Sequence, residues 1–101
     1  MKYYSFINCT PTTDEWIPGY VPVATRLVHK HGGAYLARTA THEQLEGEKS
    51  DAALRVIIEW PSKEAAENFM ADPEYAPHFK GRSEGAVNTH FLVAGNDDLV
   101  S

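Results

Sequence analysis

Apolar residues gather in four short runs, and two longer segments carry them at three- and four-residue steps. Tyr3 to Cys9 (YYSFINC) is rich in aromatic and β-branched residues, which suit a pleated, packed surface, and reads as a first strand. Thr10 to Asp14 breaks it. From about Glu15 to His31, Ile17, Tyr20, Ala24, Leu27 and Val28 fall near one face of a helix. Pro18 and Pro22 disturb its start, because an interior proline removes an amide donor and crowds the preceding turn. The regular helix is therefore expected from near Pro22. Gly32-Gly33 stops it, since glycine takes the left-handed conformation that ends helices. Ala34 to Ala40 reads as the second strand. Simple alternation puts Leu36 and Arg38 on one face and Tyr35, Ala37 and Thr39 on the other.

Thr41 to Ala53 is polar apart from Leu45 and the last alanines, and reads as a hairpin connection with room for a strand extension. Leu54 to Trp60 (LRVIIEW) is the third strand, ended by Pro61, which cannot donate to a sheet. Ser62 stands where an N-cap belongs, ahead of a helix whose buried stripe is Ala65, Ala66, Phe69 and Met70. Asp72-Pro73 repeats the signal and predicts a short helix to about Phe79, closed by Lys80-Gly81. Ala86 to Ala94 (AVNTHFLVA) is the fourth strand. Residues 1–95 thus form one domain, and 96–101 form a polar tail.

The order β-α-β-β-α-β predicts an α+β fold of the ferredoxin-like kind, a four-stranded antiparallel sheet with its helices on one face. Leu54, Val56, Ile58 and Trp60 share one face of the third strand, while Ile57 lies on the other with Arg55 and Glu59. Helices cover only one face of such a sheet. The apolar residues left on the other predict a second copy of the chain against it, a homodimer.

Composition narrows the partners. The chain has 101 residues and a net charge of −5, with its 9 Lys and Arg scattered, so no basic face is available for nucleic acid. No apolar run approaches the ~20 residues that span a bilayer, and no secretory leader is evident at the N-terminus. Cys9 is the single cysteine and cannot form an internal disulfide. Cytoplasmic is the default location. His29 and His31 diverge on a helix, and no metal-ligand spacing or cofactor fingerprint occurs, so neither a metal nor a cofactor is expected. His90, within the fourth strand, reads as a packed or rim residue.

Certain stretches resemble a known family. Val56-Ile57-Ile58-Glu59-Trp60-Pro61-Ser62, then Asp72-Pro73-Glu74-Tyr75 and a downstream Arg82, are similar to the family catalogued as domain of unknown function 1330. His31-Gly32-Gly33, Leu36-Ala37-Arg38, Leu45-Glu46-Gly47 and Leu92-Val93-Ala94-Gly95 extend the resemblance over about residues 3 to 95. Pro18 and Pro22 depart from the family pattern. The resemblance implies a dimeric α+β barrel, in which two ferredoxin-like sheets face each other around a cavity. Its superfamily includes cofactor-independent monooxygenases, lactone isomerases, small decarboxylases and haem proteins. The family itself implies no particular reaction.

Glu59 is the chemical oddity, because a carboxylate in an apolar strand costs several kcal/mol unless paired or neutralised. Arg38, on the neighbouring strand, is its expected partner, and Tyr75 and Arg82 are expected to close one end of the cavity. Together they make a candidate site for a small carboxylate or enolate. In it Arg38 and Arg82 clamp the anion, Tyr75 donates a hydrogen bond and Glu59 moves a proton as the catalytic residue. The bland alternative makes Glu59, Arg38 and Arg82 a structural salt-bridge network in a non-catalytic dimeric interaction or regulatory module, with Tyr75 simply packing.

Overall fold

In the computed structural model, which describes residues 1–100, the elements run β1 (Tyr3–Pro11), α1 (Ile17–Lys30), β2 (Ala34–Thr39), β3 (Leu54–Trp60), α2 (Lys63–Met70), α3 (Ala76–Gly85) and β4 (Ala86–Ala94). The four strands form one antiparallel sheet in the order β2-β3-β1-β4. This is the ferredoxin-like α+β arrangement, with α2 and α3 standing where the second helix is expected.

Helix α1 begins earlier than its prolines predict. Pro18 lies in the first turn, where its amide would have had no acceptor. Pro22 follows four residues later, so the carbonyl its ring crowds is that of Pro18, at the helix end where the chain can still adjust. The helix ends in a Schellman turn. Gly32 takes φ +82°, its amide donates to His29 O at 3.0 Å, and the Gly33 amide donates to Val28 O at 2.8 Å. In α2 the Ser62 side chain accepts from the Ala65 amide at 3.1 Å, the cap that the sequence predicts.

Asp72-Pro73 does not open a helix. Asp72 instead folds a capping turn, accepting the Glu74 amide at one carboxylate oxygen and His31 Nε2 and Lys30 Nζ at the other. Those partners hold its carboxyl well below the usual range, with the His31 bond the largest cause. Helix α3 then starts at Ala76 and runs through Gly81 to Gly85, past the predicted stop. These two glycines are there for contact. A Cβ at Gly85 would collide with the Trp16 indole, and one at Gly81 would press on Trp16 Cβ at 3.3 Å. The Trp16 indole N–H donates to Gly85 O at 3.0 Å, so α3 lies flush against the start of α1.

The core lies between helices and sheet, built from Leu27 and Val28 of α1, Ile58 and Trp60 of β3, and Phe69 of α2. Each such side chain, fully buried, stabilises the fold by about 1.5–3 kcal/mol. The connection Thr41 to Ala53 carries no regular strand; the Gln44 amide organises it, donating to Glu48 O at 2.7 Å and accepting from the Ser50 amide.

Strand β2 departs from simple alternation. Tyr35 pairs with Ile58 and Ala37 with Ile57, so a bulge at Leu36 absorbs one residue. Tyr35 and Arg38 consequently share the helix-side face, and Ala37 and Thr39 lie on the other. The opposite side of the sheet has no helix on it. Phe6 (45% exposed) sits across from Phe91 (64% exposed) on β4 and from Ile57 on β3, with Val87 and Val93 on the same face. The protein measures 48 × 33 × 18 Å, the thin axis holding one sheet and one helical layer.

Candidate functional site

A cavity of about 120 Å³ opens between α1, α3 and the helix-side face of the sheet. Leu54, Val56 and Ile58 form its floor with Ile7 of β1, and Trp16, Tyr20 and Tyr75 form its aromatic wall. No Asp or Glu lines it. Arg82, Arg38, Tyr35, Cys9 and His90 supply the polar chemistry.

Arg82 is the central feature. It is 6% exposed, and no carboxylate lies within ion-pair distance of it among the described residues. Nη1 donates to the Tyr20 hydroxyl at 3.0 Å, while the buried Nε has no acceptor. The rings of Tyr20 and Phe79 lie 5.6 and 5.4 Å from its guanidinium carbon and return part of the lost hydration. Helix α3 can bring a cation this deep because Gly81 and Gly85 let it sit against Trp16.

Tyr20 and Tyr75 share a hydrogen bond of 2.7 Å. The Tyr20 oxygen also accepts from Arg82, so the two hydroxyls hold two protons and one mutual bond. One phenolic proton is left without an acceptor among the described residues. Burial, reinforced by neighbouring Tyr20, pushes the Tyr75 phenol far above its ordinary range and keeps it a donor. Tyr75 is also structural, its ring packed 4.3 Å from that of Phe69.

Arg38 stands at the exposed mouth. Its guanidinium lies 3.9 Å over the Tyr35 ring, and Nη1 donates to Thr25 Oγ1 at 2.7 Å. Burial raises both the Tyr35 phenol and the Cys9 thiol, in each case against a nearby arginine that lowers it, so both stay neutral. His90 shifts the other way: burial first, then Arg82, lowers it and favours the neutral imidazole. At neutral pH the lining is thus mainly apolar, and its polar groups are cationic or neutral.

Arg38, Tyr75 and Arg82 therefore come together; Glu59 does not join them. Glu59 lies on the opposite face of the sheet and accepts from Lys2 Nζ at 2.7 Å. That bond holds the Lys2 ammonium above its ordinary value. The expected Glu59–Arg38 pair fails on register, which sets Glu59 opposite Ala34 and Arg38 opposite Val56; the Leu36 bulge also turns Arg38 to the helix side, whereas Glu59 alternates to the open side. The sequence reading also misses Tyr20 as a polar wall residue. Its place on the α1 stripe, one turn beyond Trp16, marks it as inward-facing but gives no sign that its hydroxyl meets an arginine.

Among the described residues no group of three or more His, Cys, Asp or Glu is placed to hold a metal, and no helix is long and apolar enough to cross a membrane. The family model described as domain of unknown function DUF1330 matches residues 2–96. No curated protein matches the chain. The fold is similar to that of RPA0582, a protein of unknown function from Rhodopseudomonas palustris, at 17% identity and TM-score 0.77, covering 95% of this chain and 83% of that one. It is also similar to a mutant of SnoaB, a cofactor-independent oxygenase from Streptomyces nogalater, at 18% identity and TM-score 0.62, covering 98% of both chains. An antibiotic biosynthesis monooxygenase has 19% identity and TM-score 0.53, covering 96% of this chain and 100% of that one. At these identities the likeness concerns the fold.

Proposed function

The chain belongs to the DUF1330 family, and from that premise we propose that it is a homodimer that binds a small organic anion in the Arg82 cavity and acts on it without a cofactor. The observation that carries the reading is Arg82, a buried cation with no carboxylate partner on the wall of a cavity that holds no acid. An unpaired buried charge costs several kcal/mol, and an anionic ligand is the partner that offsets it. A compact carboxylate or enolate suits the space, with its apolar part against Leu54, Val56 and Ile58. Arg82 and the free phenolic proton of the Tyr20–Tyr75 pair hold the negative oxygen, and Arg38 attracts the ligand at the mouth.

The same donors stabilise charge that develops on an oxygen during enolisation, the arrangement that lowers a barrier without a metal or cofactor. The similarity in fold to a cofactor-independent oxygenase and to an antibiotic biosynthesis monooxygenase supports this direction of chemistry. Glu59 we assign to the subunit interface, because it lies on the open sheet face where the second copy is expected. Among the described residues the rival reading of a structural network lacks its arginines, since Glu59 bonds Lys2 and neither Arg38 nor Arg82 meets a carboxylate.

A thermal-shift screen of small carboxylates, keto acids and lactones tests the proposal. A ligand at 100 times its dissociation constant adds about 2.7 kcal/mol, and each kcal/mol moves the midpoint by about 4–8 °C. Carboxylates and enolisable acids are expected to stabilise the protein, uncharged lactones of the same size less so. Arg38→Met should weaken the response. Equal response to charged and uncharged compounds, or to wild type and Arg38→Met, would contradict the assignment.

A further inference from the structure

Resting on the Arg82 reading, we infer that His90 is the proton-exchanging group of this cavity: an anion held by Arg82 enters together with one proton, which His90 takes from solvent.

The geometry sets His90 apart from the other polar groups. It projects from the helix-side face of β4, opposite Ile7 in the register, and lines both the Arg82 cavity and a shallow cleft against α2. That double position gives the imidazole contact with the ligand space on one side and with solvent on the other. Nε2 lies 2.8 Å from Ser5 Oγ, and Ser5 is fully buried. The Trp60 indole N–H donates to the same oxygen at 2.8 Å. An indole can only donate, so Ser5 keeps its own proton and a second lone pair. A hydroxyl so placed donates to Nε2 of the neutral imidazole and accepts from Nε2–H of the imidazolium. Trp60 and Ser5 therefore orient the ring in both protonation states, with the neutral imidazole the better satisfied, because the buried Ser5 O–H donates only to that form.

The surrounding charges make protonation conditional on a ligand. Cys9 on β1, Tyr20 on α1, Tyr35 on β2 and Tyr75 before α3 face the same space and are neutral. Arg82 on α3 and Arg38 on β2 are cationic. Glu67 on α2 borders the solvent-side cleft, where water screens it. With the cavity empty, burial and Arg82 both disfavour an imidazolium. An anion on Arg82 cancels that repulsion and supplies a negative neighbour, so the imidazole gains a proton. The bond that forms is N–H on the imidazole; the proton comes from water or buffer, and no redox change occurs. A protonated His90 beside a bound enolate also has a proton to donate to its oxygen or carbon, which leaves the neutral imidazole and the neutral enol or keto form.

Calorimetric titration of benzoate and acetoacetate into the intact protein, in two non-anionic buffers of different ionisation enthalpy, counts the protons. At about pH 6.5 wild type should take up roughly half a proton or more per anion. Affinity should tighten by up to about tenfold for each pH unit lowered through the His90 range. His90→Asn should bind with no uptake and a flat pH profile, a result that simple packing by His90 would not produce. Binding without proton uptake in wild type, or uptake retained in His90→Asn, would overturn the inference while leaving the anion site intact. Failure of both probes to bind would overturn the anion reading itself. If His90→Asn does not fold, His90→Gln takes its place with the same expected loss of uptake, and absence of uptake in wild type overturns the inference with either.

Discussion

Arg82→Met is expected to raise the melting temperature of the ligand-free protein. The substitution removes the charge of a residue only 6% exposed, which among the described residues lacks a carboxylate partner and has an orphaned Nε. Methionine fills similar space with a flexible apolar chain. Replacing buried ionic groups by apolar ones of like volume is often stabilising by about 1–4 kcal/mol. The Tyr20 hydroxyl loses a donor but keeps Tyr75. We expect a net gain of about 1–2 kcal/mol, seen as a rise of roughly 5–10 °C. Residues kept for binding at the expense of stability commonly behave this way. A fall of the same size would make Arg82 a structural residue.

The second large effect concerns assembly. For the proposed homodimer, Phe91→Glu should convert dimer to monomer, measured as a halving of mass by light scattering at micromolar concentration. Phe91 lies across from Phe6, and Phe6 across from Ile57, so these side chains form a continuous apolar strip over three strands of the uncovered face. A charge at the β4 end of that strip would be buried unpaired against the second copy. In the lone chain the same side chain points to water, so the fold itself should survive. Wild type that weighs one chain, or a variant that still weighs two, would contradict this face as the interface.

The elements are readable because their signals are local. Gly32-Gly33 needs only its own conformation to end α1, Pro61 only its missing amide to end β3, and Ser62 only a nearby backbone donor to cap α2. Ile57 on an otherwise polar face announces the bare side of the sheet. The site is less readable because it depends on registration between elements. One bulge at Leu36 moves Arg38 across the sheet, and alternation has no means of announcing a bulge. Glu59 finds Lys2, from the residue just ahead of β1, because β1 and not β2 carries the chain end beside it.

Arg82 stands out in the sequence for its charge, but its burial comes from a tertiary contact. Gly81 reads as a helix stop, and it and Gly85 are instead the small residues against which Trp16 packs. Their four-residue spacing is the available signal, since it places both on one helix face beside Arg82. His90 carries no local cue at all. Its place depends on Ser5 of β1, which bonds it, and on Trp60 of β3, which holds Ser5.

Protonation ties the site to stability. His90 is lowered in the folded protein, so its contribution is present above its unfolded value of about 6.5 and is lost as pH falls below it. The same drop in pH should strengthen anion binding. A ligand that restores the acid-weakened fold would link the two.

The most direct test of an anion held by Arg82 is a calorimetric titration of benzoate and acetoacetate into wild type and Arg82→Met, side by side at one pH. Saturable binding of one anion per chain in wild type, weakened at least about thirtyfold in the variant, is the predicted result. Equal affinity in the two proteins would contradict it.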